Sequence, residues 1–169
     1  MSKSSQKIAL GFALGVSLMF APVAAQTIDA VTADQLEAAL DAAGLGPTMT
    51  RDAASGAPVA TGSAGEFEFN VRAMGCSGQP VACENLVFFA NFPIGRAIAA
   101  DDFRTVNSFN DSQTFGRAYI LESRSIVGVD YVIELGGGVT PDHLTENISR
   151  WADVISAFVT KFQEGAPGS

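Results

Sequence analysis

The sequence predicts an α+β domain in which an N-terminal helix and a long C-terminal helix pack on an antiparallel sheet. Residues 66–74 alternate strictly between apolar and polar side chains, which is typical of a half-buried strand. Residues 141–162 instead place apolar side chains at helical spacing. Helices and strands follow the order helix, several strands, short helix, two strands, long helix, which favours an α+β arrangement over alternating α/β units.

The first 25 residues have the three parts of a secretory signal peptide. Lys3 and Lys7 form a positively charged start. An uncharged apolar run follows over residues 8–20, and the segment ends in small residues at 23–25. We predict cleavage between Ala25 and Gln26. An uncleaved membrane anchor is the alternative, because the charge-free stretch approaches the ~20 residues that span a bilayer. Pro22 and the alanine-type cleavage site argue against the anchor.

Cleavage would leave one acidic domain, residues 26–164, and a flexible Gly/Pro/Ser-rich tail, residues 165–169. Loss of the two signal-peptide lysines takes the net charge from −8 to −10. Nucleic acid and anionic membrane surfaces bind to basic patches, whereas the basic residues here are scattered singly. We therefore expect a periplasmic or secreted protein with no nucleic-acid partner and no stable membrane insertion after cleavage.

Cys76 and Cys83 are the only cysteines, and export would place them in an oxidising compartment. Gly78 and Pro80 favour a turn between them, so we predict a structural disulfide. Closing so short a loop would stabilise the fold by ~2 to 3 kcal/mol. A redox pair would need C-x-x-C spacing, and zinc would need further Cys or His ligands.

The N-terminal half begins with a helix and continues with strands. Thr32 and Gln35 form a capping-box pattern that opens the helix, and Gly44 ends it. Residues 47–65 are rich in small residues and Pro, which indicates either a loop or two short edge strands around a turn at residues 55–56. We favour the two weak strands. The half-buried strand over residues 66–74 follows directly.

The C-terminal half contains the central strand and the longest helix. Residues 86–90 are apolar on both faces, which predicts a central strand that is covered on both sides or whose second face meets a partner. A short helix over residues 101–110 precedes two tightly joined, antiparallel strands over 115–122 and 126–135. Thr140 caps the last helix. Its apolar stripe comprises Leu144, Ile148, Trp151, Ile155, Phe158, Val159 and Phe162.

Four short motifs resemble the YbjN family, also called the bacterial sensory transduction regulators. They are residues 83–90, 107–110, 115–119 and 137–139, the last before a Trp-bearing terminal helix, and the resemblance covers roughly residues 66–162. It implies a fold similar to type III secretion chaperones and no known enzyme activity. It also implies roles in regulation, motility and stress, which belong to cytoplasmic members. This chain differs from those members because we expect it to be exported.

The chemistry-bearing residues form no convergent catalytic set, so we predict a protein that is not an enzyme and that has no cofactor or metal. His143 is the only histidine and cannot form a metal site alone. Residues 136–138 are three glycines before a helix, but their spacing matches neither phosphate-binding motif. The closest carboxylate groupings are expected to face water.

Two functions of different kinds remain. The first is a non-enzymatic periplasmic module that binds or escorts an unknown protein, or acts as a regulator, and that can form a homodimer. Val87 and Phe89 motivate it, because an exposed apolar patch on the strand would mark an interface. The second is binding of a small apolar or amphipathic ligand in a pocket between the sheet and the C-terminal helix.

Three polar residues join the candidate interaction surface because the family resemblance falls on them. They are Asn107, Asn110 and Arg117. Turn formation is the alternative role for the two asparagines, since Asn side chains mimic backbone turns. Arg117 could instead pair with an acid such as Asp130 on the neighbouring strand.

Overall fold

A computed structural model describes residues 26–164. These residues form a seven-stranded antiparallel sheet and three α-helices, which confirms the predicted α+β class. The predicted signal peptide, with Ala25 at its end, and the predicted tail at 165–169 lie outside the described residues. Within residues 26–164, no helix has both the length and the apolar character needed to cross a membrane.

The sheet has the spatial order β2-β3-β4-β5-β7-β6, with β1 beside one end of β5. Neighbouring strands are antiparallel throughout. The strands are β1 (Val31–Thr32), β2 (Thr48–Arg51), β3 (Pro58–Ala64), β4 (Phe67–Ser77), β5 (Ala82–Pro93), β6 (Arg117–Leu121) and β7 (Ile126–Glu134). The helices are α1 (Ala33–Ala42), α2 (Ala100–Ser112) and α3 (Pro141–Glu164).

Side-chain caps fix the starts of the first and last helices. The Thr32 backbone N–H donates to Gln35 Oε1 at 2.9 Å, and the Gln35 N–H donates to Thr32 Oγ1 at 3.3 Å, so the predicted capping box is present. At α3 the His143 N–H donates to Thr140 Oγ1 at 3.2 Å, as predicted. These bonds satisfy N–H groups that a helix leaves without an internal partner.

The core lies between one face of the sheet and the three helices. Trp151 lies at the middle of α3 and is fully buried. The centre of its ring is 5.8 Å from that of Phe69 and 5.7 Å from that of Phe88. Phe158, two turns further along α3, packs edge-on against Phe109 of α2. The predicted apolar stripe therefore joins both the central strands and the short helix to α3.

The β4–β5 hairpin is closed by the predicted disulfide. Cys76 and Cys83 are directly opposite each other in the strand register, and their sulfur atoms are bonded. The turn between the two strands lies at residues 78–81. The crosslink therefore fixes the register of the two longest strands at their shared end.

Candidate functional site

The two faces of the sheet differ in their cover. The helices pack on the face that carries Phe69, Leu86 and Phe88. No helix within residues 26–164 covers the other side, which we call the open face. Its central side chains are Asn70, Arg72 and Met74 on β4, Val87 and Phe89 on β5, Asp130, Val132 and Glu134 on β7, and Arg117 and Tyr119 on β6.

Apolar side chains occupy the middle of the open face. Val87 lies between Arg72 and Val132 in the strand register, and Phe89 lies in the next row. Val132 is 48% exposed and Met74 is 49% exposed, while Val87 and Phe89 are half-buried. Polar and charged residues surround this patch, an arrangement that marks interaction sites on soluble proteins.

Arg72 lies beside the apolar patch and makes no ion pair among the described residues. Its guanidinium carbon lies 5.9 Å from the centre of the Phe89 ring, within cation–π range. Among the described residues, no carboxylate forms an ion pair with Arg72, and no cation pairs with Glu134 on the other side of β5. The open face thus carries one positive and one negative side chain on opposite sides of its central strand, and we call them its free charges because neither is ion-paired within residues 26–164.

The loop between β2 and β3 borders the open face next to Arg72. Hydrogen bonds from the hydroxyl and backbone of Ser55, together with the charge of Arg72, lower the pKa of the Asp52 carboxyl. Between this loop and β4 is a shallow depression of about 440 Å³, which Arg72, Met74 and Cys76 also line. The depression extends the open face towards the disulfide.

The β6 side of the open face is paired internally. Arg117 forms a two-point ion pair with Asp130, as the sequence suggested, and its hydrogen bonds to that carboxylate raise the arginine's pKa. The Tyr119 hydroxyl donates to Asn91 Oδ1 at 2.9 Å. Burial, followed by the nearby negative charge of Asp130, raises the pKa of Tyr119 to about 12, so it remains a neutral donor at physiological pH.

Asn107 and Asn110 lie on α2, away from the open face. The Asn110 amide donates to the Ala118 carbonyl at 3.1 Å, and the Ala118 N–H donates to Asn110 Oδ1 at 2.7 Å. Asn110 therefore takes the place of a neighbouring strand at the outer edge of β6. Asn107 is exposed and makes no side-chain hydrogen bond within the described residues. Of the five predicted interaction residues, the structure brings together only Val87, Phe89 and Arg117.

Three open-face residues have no sequence pattern of their own that singles them out as interaction residues. Arg72 and Met74 belong to β4, where the alternating pattern assigned Arg72 to the polar side and gave no reason to single it out. Val132 belongs to β7, whose apolar residues occur on both sides of the strand. The doubly apolar character of β7, like that of β5, was the signal that could have identified Val132.

Asp102 is the one described acid away from the open face whose pKa is shifted, and it has structural partners. Asp102 is 3% exposed and accepts two hydrogen bonds from Arg96, at 2.6 and 2.7 Å, and one from the Ala99 N–H. The Arg96 bond is the main reason that the pKa of Asp102 is lowered. His143 is exposed at the start of α3, and residues 26–164 contain no cluster of three metal-ligating side chains.

The space between the sheet and α3 is small. An apolar cleft of about 130 Å³ lies there, lined by Phe92, Ile94, Val127, Phe158 and Phe162 among others. Pockets for drug-sized ligands have volumes of ~300 to 1,000 Å³. The cleft therefore has room for only a small part of such a ligand.

These features define an α+β domain whose antiparallel sheet has one helix-covered face and one open face. The chain belongs to the YbjN family, described as "Putative bacterial sensory transduction regulator", which matches residues 32–164. A crystal structure of YbjN from E. coli, described as "a putative transcription regulator", is similar with a TM-score of 0.59 and 14% sequence identity. The similarity covers 82% of this chain and 95% of that chain, and at this identity it shows the fold alone. No curated protein matches the sequence.

Proposed function

We propose that this chain is an exported, non-enzymatic regulatory or escort module that binds another protein through its open face. One observation carries the proposal: the central strands present Val132 and Met74 about half exposed, next to Val87 and Phe89. When a second surface removes apolar side chains of an uncovered sheet face from water, the complex is stabilised by about 25 cal/mol per Å² of apolar area buried.

The shape of the open face suits a protein better than a small molecule. Small ligands bind in concave pockets that enclose most of their surface, whereas protein interfaces combine an apolar centre with a polar rim. Arg72 and Phe89, of the residue types enriched in interface centres, are adjacent here. The cleft of about 130 Å³ beside α3 offers little volume for the small-ligand alternative.

The cellular setting of the proposal comes from other observations. The apolar run and small-residue end of residues 1–25 support export. The Cys76–Cys83 bond is compatible with an oxidising compartment. The family description, a sensory transduction regulator, supports a role exerted by binding to another protein.

Site-specific photo-crosslinking tests the proposal. A photo-reactive amino acid replaces Val132 on the open face or, as the control, Ser149 on the exposed side of α3. We expect the exported protein to form a crosslinked product from position 132 only, with the partner identified by mass spectrometry.

Affinity measurements with the purified partner complete the test. Val132→Glu places a charge in the apolar centre and should weaken binding at least tenfold, whereas Ser149→Glu should leave it unchanged. Both variants are exposed positions, so both should retain the thermal stability of the parent protein. Equal affinities for the two variants would show that the open face is not the binding surface.

A further inference from the structure

We propose that the open face binds a second copy of this chain, so that two open faces meet across a two-fold axis. This inference rests on the proposed function for the identity of the surface. A two-fold pair uses the same patch on both copies, so every contact occurs twice and the patch must be complementary to itself. The apolar centre and the two free charges of the open face meet that requirement.

The size of the face is the first argument. A two-fold axis along β5 overlaps five strands of each copy, and β2 extends beyond the partner's β6. Four spacings of ~4.8 Å and about seven paired residues at ~3.3 Å each give about 440 Å² per copy. Two copies would bury about 900 Å², which is below the ~1,200 Å² of standard specific interfaces and within the range of weak, transient complexes. The size of the paired open faces therefore fits a weak, transient dimer.

The free charges supply the second argument. Arg72 lies on β4 and Glu134 on β7, on either side of β5. A two-fold axis along β5 lays β4 of one copy over β7 of the other. Arg72 then faces the partner's Val132, with the partner's Glu134 about 6.6 Å further along the strand, which an arginine side chain can reach. The two-fold axis repeats this contact, so the dimer contains two such ion pairs.

The apolar side chains fill the space between these ion pairs. Val87 lies on the axis and meets the partner's Val87, and the aliphatic part of Arg72 covers the partner's Val132. If residues 1–25 are removed, each copy carries a charge of −10, so the copies repel at long range. At physiological ionic strength that repulsion is screened beyond about 8 Å, whereas ion pairs across the interface persist.

Charge reversal and sedimentation equilibrium of the exported protein test the arrangement. We expect a wild-type dimer with a dissociation constant of about 1 to 100 µM. Arg72→Glu alone and Glu134→Arg alone should each raise that constant at least tenfold, because each places like charges at both contacts. An equimolar mixture of the two variants should form a heterodimer, because both of its contacts then join opposite charges.

Arg104→Glu is the matched control for Arg72→Glu, because it makes the same change of net charge on α2, away from the open face. It should leave the dimer unchanged. Formation of the mixed heterodimer would also prove that both single variants are folded. A wild-type protein that stays monomeric at about 500 µM, or a dimer insensitive to both reversals, would overturn the proposal. If the chain is monomeric and position 132 crosslinks to a different protein, self-pairing is rejected and the proposed function is supported.

Discussion

Substitution of Asn110 by alanine should detach the edge of the sheet from α2. The Asn110 side chain makes two hydrogen bonds to the backbone of Ala118, one as donor and one as acceptor. Ala118 is 4% exposed, so its freed N–H and C=O groups would reach water poorly. Edge strands depend on such partners, because unpaired strand edges otherwise recruit other chains.

The expected loss follows from those two bonds. A buried backbone group left without a partner costs about 1 to 3 kcal/mol. The two bonds join the same pair of residues and are not additive, so we expect a total loss of about 2 to 4 kcal/mol. Alanine also favours the helix over asparagine by roughly 0.6 kcal/mol, which offsets a small part of the loss.

Urea denaturation followed by circular dichroism measures this loss, with Asn107→Ala as the control. Asn107 lies on the same helix but is exposed and makes no side-chain hydrogen bond within the described residues, so its replacement should be neutral or slightly stabilising. Hydrogen exchange of the Ala118 amide gives a local readout and should accelerate only in the Asn110 variant. Equal stabilities for the two variants would refute the role of Asn110 as a strand substitute.

Three further predictions concern stability. Reduction of the Cys76–Cys83 bond should lower the free energy of unfolding by about 2 to 3 kcal/mol in urea titrations, with a reductant-insensitive double Cys→Ser variant as control. A hydrogen bond from the neighbouring arginine lowers the pKa of Asp102. Its stabilising contribution is therefore present above the unfolded-state pKa of ~3.9 and is lost as the pH falls through the lower folded value. When the free energy of unfolding is measured against pH, Asp102→Asn should lack this loss of stability in acid. A pH profile identical to that of the parent protein would contradict the prediction. In Gly128→Ala, the new methyl group would lie 2.5 Å from the Tyr119 ring, which must move aside and lose its hydrogen bond to Asn91. Thermal unfolding should therefore show a loss of about 0.5 to 1.5 kcal/mol, and an unchanged midpoint would contradict the contact.

Local patterns predicted most of the fold. The capping box at Thr32, the alternation in β4 and the apolar stripe of α3 act over a few residues, so the sequence shows them directly. The strand order could not be predicted, because pairing of β5 with β7 joins segments that are separated by α2 and β6. Nothing in either segment alone specifies which edge of the other it meets.

The interaction site was harder to predict than the fold. Val87 and Phe89 stood out because apolar residues occupied both sides of one strand, and Arg117 paired with Asp130 as the alternative reading suggested. The family motifs place Asn110 among the interaction candidates, but its hydrogen bonds to Ala118 give it a structural role. Arg72 is a candidate because no carboxylate among the described residues forms an ion pair with it. Only the three-dimensional packing reveals that.

The position of Trp151 gives the chain a built-in fluorescent reporter. It is the only tryptophan in the sequence, and it is sealed between Phe69 and Phe88 at the junction of α3 with the two central strands. Its emission should be blue-shifted while the core is intact and shift to the red on unfolding, without any label. Because the ring lies on the helix-covered side, a tryptophan-free protein that docks on the opposite side should leave this signal almost unchanged. Loss of the core and occupancy of the surface can therefore be followed separately in one sample.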